Sequence, residues 1–150
     1  MINVLVFPCG SEIGLEVHNA LKYDKHINLV GLSSVSSHGR VVYKNYIEGI
    51  SFITSDTFME ELNKIIEDNN IDVLIPAYDD VILYLSERRD ELKCKLATSN
   101  KTTCDIARSK RKTYEVLQGE WYIPETFKVS QITEKDLPLF AKPDIGQGSQ

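Results

Sequence analysis

The last residues of the sequence combine a lysine with a glycine-rich stretch. Lys142 ends an apolar run, and Gly146, Gly148 and Ser149 follow it closely. A lysine supplies a point charge to a phosphate, and successive backbone N–H groups of a glycine loop can surround the phosphate oxygens. The pattern predicts an anion site, with a glycine-rich hairpin turn as the alternative. A basic run at 108–112 strengthens the prediction, although such a run alone usually forms a solvated helix face.

A second candidate site is the turn PCGSEIG at 8–14, which follows the first apolar run. In parallel sheets, ligands bind at the carboxyl ends of strands, beside helix N-termini. Gly10 allows a close backbone approach there, and Gly14 allows a helix to lie close to the sheet. Glu12 either holds a substrate amine or complements the helix dipole. A tight turn without a ligand is the alternative.

The same turn lacks the features of two common nucleotide sites. A nicotinamide fingerprint needs G-x-G-x-x-G and an acid at the end of the second strand, whereas this turn has one G-x-x-x-G. The pattern G-x-x-x-x-G-K-[ST] is absent, which excludes a P-loop. An oxidoreductase is therefore only a third choice. Cys9 has no base at a fixed spacing, so it is expected to be a small buried residue and not a nucleophile.

Two adjacent acids, Asp79 and Asp80, follow a later apolar run, DVLIP. If the strands are parallel, these acids share a sheet edge with the turn at 8–14. They are then placed to orient an ammonium or hydroxyl group of a substrate. Capping of the following helix by one of them is the alternative.

These segments lie in a chain of alternating strand and helix patterns. Strands are predicted at 3–7, 27–32, 72–76 and 95–97. The inner faces predicted for the three helices between them are Ile13, Val17, Ala20 and Leu21; Phe58, Leu62, Ile65 and Ile66, with Asp56 as N-cap; and Val81, Tyr84 and Leu85. This order predicts an α/β fold, a Rossmann-like parallel sheet with helices on both faces.

The pattern changes after about residue 99. A helix is predicted at 100–118, broken near Ser109 and stopped by Gly119. Strands predicted at 124–129 and 139–142 suggest an antiparallel unit. A boundary near 98–112 therefore separates residues 1–98 from residues 99–150.

Bulk properties narrow the function further. The net charge of -5 gives no basis for nucleic-acid binding. No apolar run approaches the roughly 18 residues of a membrane span. Three cysteines without a CxxC pair favour a reducing cytoplasm.

Taken in order, five segments resemble the ATP-grasp superfamily, most closely the large subunit of carbamoyl-phosphate synthetase and related carboxylate–amine ligases. They are VLVFPCGSEIG, DVLIPAYDD, CDIARSKRKTYEVLQ, IPETF and LFAKPDIGQGS. The resemblance implies that residues 1–98 form a pre-ATP-grasp Rossmann-like domain. It implies that residues 99–150 contain linker helices and the first strands of a truncated α+β ATP-grasp domain.

The resemblance also implies roles for individual residues. Lys110 is expected beside the nucleotide, Lys142 at its phosphates, and Gly146, Gly148 and Ser149 in the loop that closes over them. The residues expected to shape the acceptor-substrate site are Gly10, Ser11, Glu12, Asp79 and Asp80.

The chemistry implied is transfer of the ATP γ-phosphate to a carboxylate, followed by attack of an amine or a related nucleophile on the acyl phosphate. ATP and Mg²⁺ are the implied cofactors, with the metal ligands expected beyond residue 150. The 150 residues alone are expected to be inactive and to bind nucleotide weakly. The identities of the carboxylate and amine stay open, as does a homodimer. A non-catalytic Rossmann-like binding or regulatory module is the alternative function.

Overall fold

The first apolar run forms the central strand Ile2–Phe7 (β1) in the computed structural model, which describes residues 1–120 and 122–146. The chain divides into two compact units, Met1–Cys104 and Asp105–Gln150. In chain order the elements that follow β1 are α1 Glu12–Leu21, β2 Ile27–Ser33, α2 Gly39–Val42, β3 Asn45–Glu48, α3 Phe58–Asp68, β4 Val73–Pro76, α4 Asp79–Glu87, β5 Lys95–Leu96, α5 Lys101–Arg108 and α6 Lys110–Val116.

The five strands of the first unit form one parallel sheet in the order β3-β2-β1-β4-β5. Helices connect the successive strands, as crossovers between parallel strands require. The predicted α/β class and the Rossmann-like parallel sheet are confirmed.

The continuous apolar character of β1 follows from its central position. Leu5 and Phe7 pack into the cluster that contains α3 and α4, whereas Val4 and Val6 pack into a second cluster with Cys9. Because successive side chains of a strand point to opposite faces, a strand covered on both faces must be apolar at every position. The four predicted strands are all present, and in each one end shifts by a single residue.

One strand and one helix were not predicted, because their segment is polar. The stretch after β2 contains α2 and the edge strand β3, whose sequence is only NYIE. Side-chain amides help to hold β3 to the sheet: Asn45 donates to Asn28 and Asn28 donates to Asn3, both at 2.9 Å. An edge strand needs little apolar surface, so its sequence carries a weak strand signal.

The inner face predicted for α1 is partly wrong. Ile13 is 48% exposed and Ala20 is exposed, whereas Gly14 is buried. A Cβ on Gly14 would lie 2.7 Å from the carbonyl oxygen of Cys9, so the helix approaches the chain through this glycine. That approach rotates the inner face toward Gly14 and Val17.

The predictions for α3 and α4 hold for their buried faces. Phe58, Leu62 and Ile66 are buried in α3, and Val81 and Leu85 are buried in α4. The predicted N-cap of α3 is wrong, because Thr57 occupies that position and Asp56 precedes it.

Arg89 fixes the turn that leaves β5, and its loss is expected to destabilise the first unit. Its guanidinium donates to the carbonyl oxygens of Leu96 at 2.9 Å, Thr98 at 2.8 Å and Ser99 at 2.7 Å. Since hydrogen bonds to a charged group contribute more than neutral ones, Arg89→Ala should lower the free energy of unfolding by about 2 kcal/mol. Urea titration measures this. Arg40→Ala, at an exposed arginine, should change it by less than about 0.5 kcal/mol; equal effects of the two variants would contradict the assignment.

In the second unit, α6 begins after a break at Ser109, as predicted. Ser109 has an extended backbone conformation, and its side chain accepts a hydrogen bond from the backbone N–H of Lys112. The segment after α6 reaches Gly119, whose φ of +97° favours glycine. None of the helices in residues 1–120 and 122–146 is both long and apolar enough to cross a membrane.

The two strands predicted at 124–129 and 139–142 are wrong. The structure describes both segments without strand pairing, and short 3₁₀ turns occur at Val129–Gln131 and Glu134–Asp136. The Asp136 carboxylate accepts hydrogen bonds from the backbone N–H and the hydroxyl of Thr133, both at 2.8 Å. Such local bonds compete with strand pairing, and a two-stranded ribbon is only marginally stable in water.

Candidate functional site

The first candidate site lies in the first unit, where the loops after β1 and β4 meet. These strands are neighbours, but the chain leaves β1 toward β2 and later returns to β4 on the other side. Such a reversal of strand order forms a crevice at the carboxyl ends of the strands, where Rossmann-like sheets bind ligands. The sheet therefore brings the predicted residues of the turn at 8–14 and the Asp79–Asp80 pair to one edge.

Ser11 joins these two loops directly. Its hydroxyl lies 2.7 Å from the carbonyl oxygen of Ala77 and 3.0 Å from that of Pro8. The same oxygen accepts a hydrogen bond from the backbone N–H of Gly14 at 2.9 Å, which makes Ser11 the N-cap of α1. Ser11 thus positions the start of α1 against the β4 loop, and its oxygen already has several protein partners.

The three acidic side chains lie at helix starts. Glu12 is exposed in the first turn of α1. Asp79 is half-buried and Asp80 is exposed in the first turn of α4, and Tyr78 occupies the N-cap position there. A carboxylate in the first turn of a helix interacts favourably with the helix dipole, so all three positions are ordinary ones for acidic residues.

Position 10 must be a glycine because Ser37, which was not predicted as a site residue, lies against it. A Cβ on Gly10 would lie 2.3 Å from the Oγ atom of Ser37, in the loop after β2. The close approach expected at Gly10 is therefore made by the protein's own chain. A third loop thus reaches this edge, and the serine-rich run after the second apolar strand was the available signal.

Cys9 is fully buried, in agreement with its expected structural role. Burial raises the pKa of its thiol to about 11. A Cβ on Gly39 would lie 2.4 Å from its sulfur, so α2 packs closely on it. Because the thiolate is the reactive form, this cysteine is unsuited to nucleophilic catalysis.

Cys9 is expected to resist alkylation in the folded chain. With a pKa of about 11, only about one thiol in a thousand is ionised at pH 8. Iodoacetamide treatment followed by peptide mass spectrometry should leave Cys9 unmodified in the native chain and modify it in denaturant. Rapid modification of Cys9 in the native chain would contradict a buried, protonated thiol.

The second candidate site lies in the second unit and is organised by Asp144. Its carboxylate accepts hydrogen bonds from the Ser109 hydroxyl, at 2.8 and 3.0 Å, and from the backbone N–H of Arg111 at 2.8 Å. Its carbonyl oxygen accepts from the backbone N–H and the Nζ atom of Lys110, both at 3.2 Å. Asp144 therefore holds the segment after Lys142 on the basic run that begins α6.

Lys142 itself is held by an aromatic residue of α6. Its Nζ atom donates to the phenolic oxygen of Tyr114 at 2.8 Å and lies 5.2 Å from the centre of that ring. Lys112 instead pairs with Asp105, at 2.5 Å. Lys110 and Lys142, separated in sequence, are thus both fixed relative to α6.

The environment of Asp144 favours its ionised form. The hydrogen bond from the Arg111 backbone and that from Ser109 lower the pKa of Asp144, and the charges of Arg111 and Lys110 add to this. Gly146 lies in the described segment, whereas Gly148 and Ser149 lie outside the described residues. Asp144 and Tyr114 were missed as site residues, because nothing local in the sequence links them to positions about thirty residues away.

No cluster of three or more metal-ligating side chains occurs in residues 1–120 and 122–146. The described polar groups supply cations and N–H donors in the second unit and carboxylates in the first. Such a set is chemically suited to an anion in the second unit and to an ammonium or hydroxyl group in the first.

Comparisons with known proteins do not identify a family. No protein-family model matches the chain. No curated protein matches it significantly in sequence.

Two solved structures are similar at low identity. A dTDP-glucose 4,6-dehydratase of Bacillus anthracis str. Ames, in complex with NAD, is 16% identical with a TM-score of 0.44, covering 64% of this chain and 37% of that protein. The N5-carboxyaminoimidazole ribonucleotide synthetase of Thermotoga maritima is 17% identical with a TM-score of 0.48, covering 77% of this chain and 29% of that protein. The chain thus spans well under half the length of either protein, and likenesses this weak carry no functional argument.

Proposed function

We propose that this chain is part of an ATP-dependent ligase of the ATP-grasp superfamily, similar to the carbamoyl-phosphate synthetase large subunit and related carboxylate–amine ligases. In this proposal the Rossmann-like unit shapes the acceptor-substrate site. The second unit begins the nucleotide site. The basis is the ordered series of five segments that resemble this superfamily, together with the positions of the charged residues.

One observation carries the proposal: Asp144 joins the two basic segments expected to contact the nucleotide. Ser109, beside Lys110, is bonded to Asp144 although the two are 35 residues apart in sequence. Lys110 contacts the carbonyl oxygen of Asp144, and Lys142 lies two residues before it. A nucleotide site needs cations near several phosphates at once. The contacts of Asp144 hold the segment that contains Lys142 against the start of α6, where Lys110 lies.

The proposed chemistry is transfer of the ATP γ-phosphate to a carboxylate. Lys110 would stand beside the nucleotide, and Lys142 would neutralise charge on the phosphoryl oxygens as it develops. Gly146, with Gly148 and Ser149, would cover the phosphates with backbone N–H groups. Mg²⁺, when bound, would supply positive charge that offsets the negative charge of the phosphoryl oxygens.

The acceptor site is proposed at the crevice between β1 and β4. Gly10 and Ser11 would form its floor, and Glu12, Asp79 and Asp80 would supply negative charge toward a substrate ammonium group. The carboxyl-edge position of all five residues supports this role, because Rossmann-like sheets bind ligands there.

The test is capture of the acyl phosphate. The protein encoded by the entire reading frame that contains this chain should be incubated with ATP, Mg²⁺, hydroxylamine and a panel of carboxylates. The proposal expects a hydroxamate and an equal amount of ADP with at least one carboxylate. No ATP consumption with the entire panel would favour the alternative, a non-catalytic Rossmann-like module. ADP release without any hydroxamate would contradict acyl-phosphate formation.

A further inference from the structure

Asp144 differs from Asp136 in the residues that its carboxylate contacts. The Asp136 carboxylate accepts hydrogen bonds from Thr133, three residues away. The Asp144 carboxylate contacts the side chain of Ser109, 35 residues earlier in the sequence, and the backbone N–H of Arg111 in α6. Its contacts therefore fix the position of one segment relative to another, which a local turn cannot do.

The contacts around Asp144 also determine where two ammonium groups lie. The Asp144 carbonyl oxygen accepts from Lys110 Nζ, so this lysine follows the position of residue 144. Two residues earlier, Lys142 reaches Tyr114 on the same helix. Ser109, whose hydroxyl donates to the Asp144 carboxylate, is 3% exposed. If residues 142–146 moved away, Ser109 could keep this hydrogen bond only by leaving its buried position.

We propose that Asp144 is a positioning residue of the nucleotide site. Its carboxylate clamps residues 142–146 onto the start of α6, and the clamp keeps Lys110 and Lys142 in reach of one phosphate chain. This role rests on the proposed function. The carboxylate does not touch the reacting atoms and acts through the two lysines.

The clamp favours the ionised carboxylate, because both Ser109 and the Arg111 N–H donate to it. The titratable and charged groups that face Asp144 are Lys110 and Arg111 of α6, and both are cationic. The lowered pKa of Asp144 agrees with this arrangement. The clamp is therefore expected to persist at neutral pH and to open only below the ordinary aspartate range, about 3.9.

The first experiment tests the clamp in the chain itself, without nucleotide. Proton–nitrogen NMR spectra should show the Arg111 amide proton shifted downfield by its carboxylate acceptor, with a titration midpoint below the ordinary aspartate value. Asp144→Asn should remove that titration, whereas the matched Asp136→Asn should leave it intact. An Arg111 resonance that is indifferent to Asp144→Asn would overturn the proposal, whatever the function is.

The second experiment tests the role, in the ligase encoded by the entire reading frame. Asp144→Asn should raise the KM for ATP by about tenfold, the loss expected for hydrogen bonds to a charged group, and leave the KM for the carboxylate unchanged. Asp136→Asn should change neither. Ser109→Ala removes the same contact from the other side and should reproduce the effect if Asp144→Asn does not fold.

The outcomes separate this role from the function on which it rests. A lost Arg111 titration together with an unchanged KM for ATP would reduce the clamp to a structural contact and overturn the positioning role. Absence of ATP turnover in the unsubstituted ligase would refute the proposed function, and the positioning role with it. The NMR experiment would still report whether the contact exists.

Discussion

Phe58→Ala is expected to lower the free energy of unfolding of the first unit by about 3–5 kcal/mol, the usual cost of removing a buried phenyl ring. Phe58 begins α3, is fully buried and lies with its ring centre 5.6 Å from those of both Phe7 and Tyr84. It therefore connects α3 to the central strand and to α4. Removing it leaves a cavity between three elements, none of which can move inward without disturbing the sheet.

Urea denaturation followed by circular dichroism measures this loss. Phe52→Ala is the matched control, because Phe52 is 61% exposed and should contribute less than about 1 kcal/mol. If the two variants lose similar stability, Phe58 does not hold the core together as described.

In the proposed ligase, encoded by the entire reading frame, Lys142→Ala is expected to reduce kcat/KM for ATP by at least about a hundredfold. The removal of one preorganised donor that faces developing charge typically has an effect of this size. The Lys142 side chain donates to Tyr114, and Lys142 lies two residues before Asp144, which forms the clamp. Initial rates of ADP formation at several ATP concentrations give the value.

Lys135→Ala controls for the loss of one positive charge from the same unit. Lys135 is exposed in the short turn Glu134–Asp136, and its substitution should leave kcat/KM unchanged. An unaltered rate for Lys142→Ala would remove Lys142 from the site, and an equal loss for both variants would point to nonspecific electrostatics.

The parts of the fold that sequence alone predicted are those with a strong apolar pattern. β1 is covered on both faces, so its apolar run was unambiguous. The buried stripe of α3 was predicted for the same reason. The edge strand β3 was missed because pairing with β2 and side-chain amides hold it, and neither leaves an apolar pattern.

The errors occur where contacts outside the periodic apolar pattern decide the structure. The buried side of α1 is set by the contact of Gly14 with the Cys9 and Pro8 carbonyl groups, and periodicity does not report such a contact. The strands predicted at 124–129 and 139–142 have apolar character, but the intervening residues form local turns. A strand also needs a neighbour, which a single sequence does not specify.

The same limit applies to the candidate sites. Lys110 and Lys142 were selected by type and by resemblance, and the turn at 8–14 by its glycines. Asp144 could not be found in this way, because an aspartate after Lys-Pro is unremarkable until Ser109 is brought next to it. Ser37 was missed similarly, since its role depends on the meeting of two loops.

Positional isotope exchange in ATP tests the central claim most directly. The protein encoded by the entire reading frame is given ATP with heavy oxygen in the β–γ bridge, Mg²⁺ and a carboxylate, but no amine. Reversible acyl-phosphate formation predicts that the label moves from the bridge to a non-bridging position of the β-phosphate. This exchange should occur only when the carboxylate is present, and it should not occur in the Lys142→Ala variant. Recovery of ATP with its label in place for every carboxylate tested, or cleavage to AMP, would contradict the assignment.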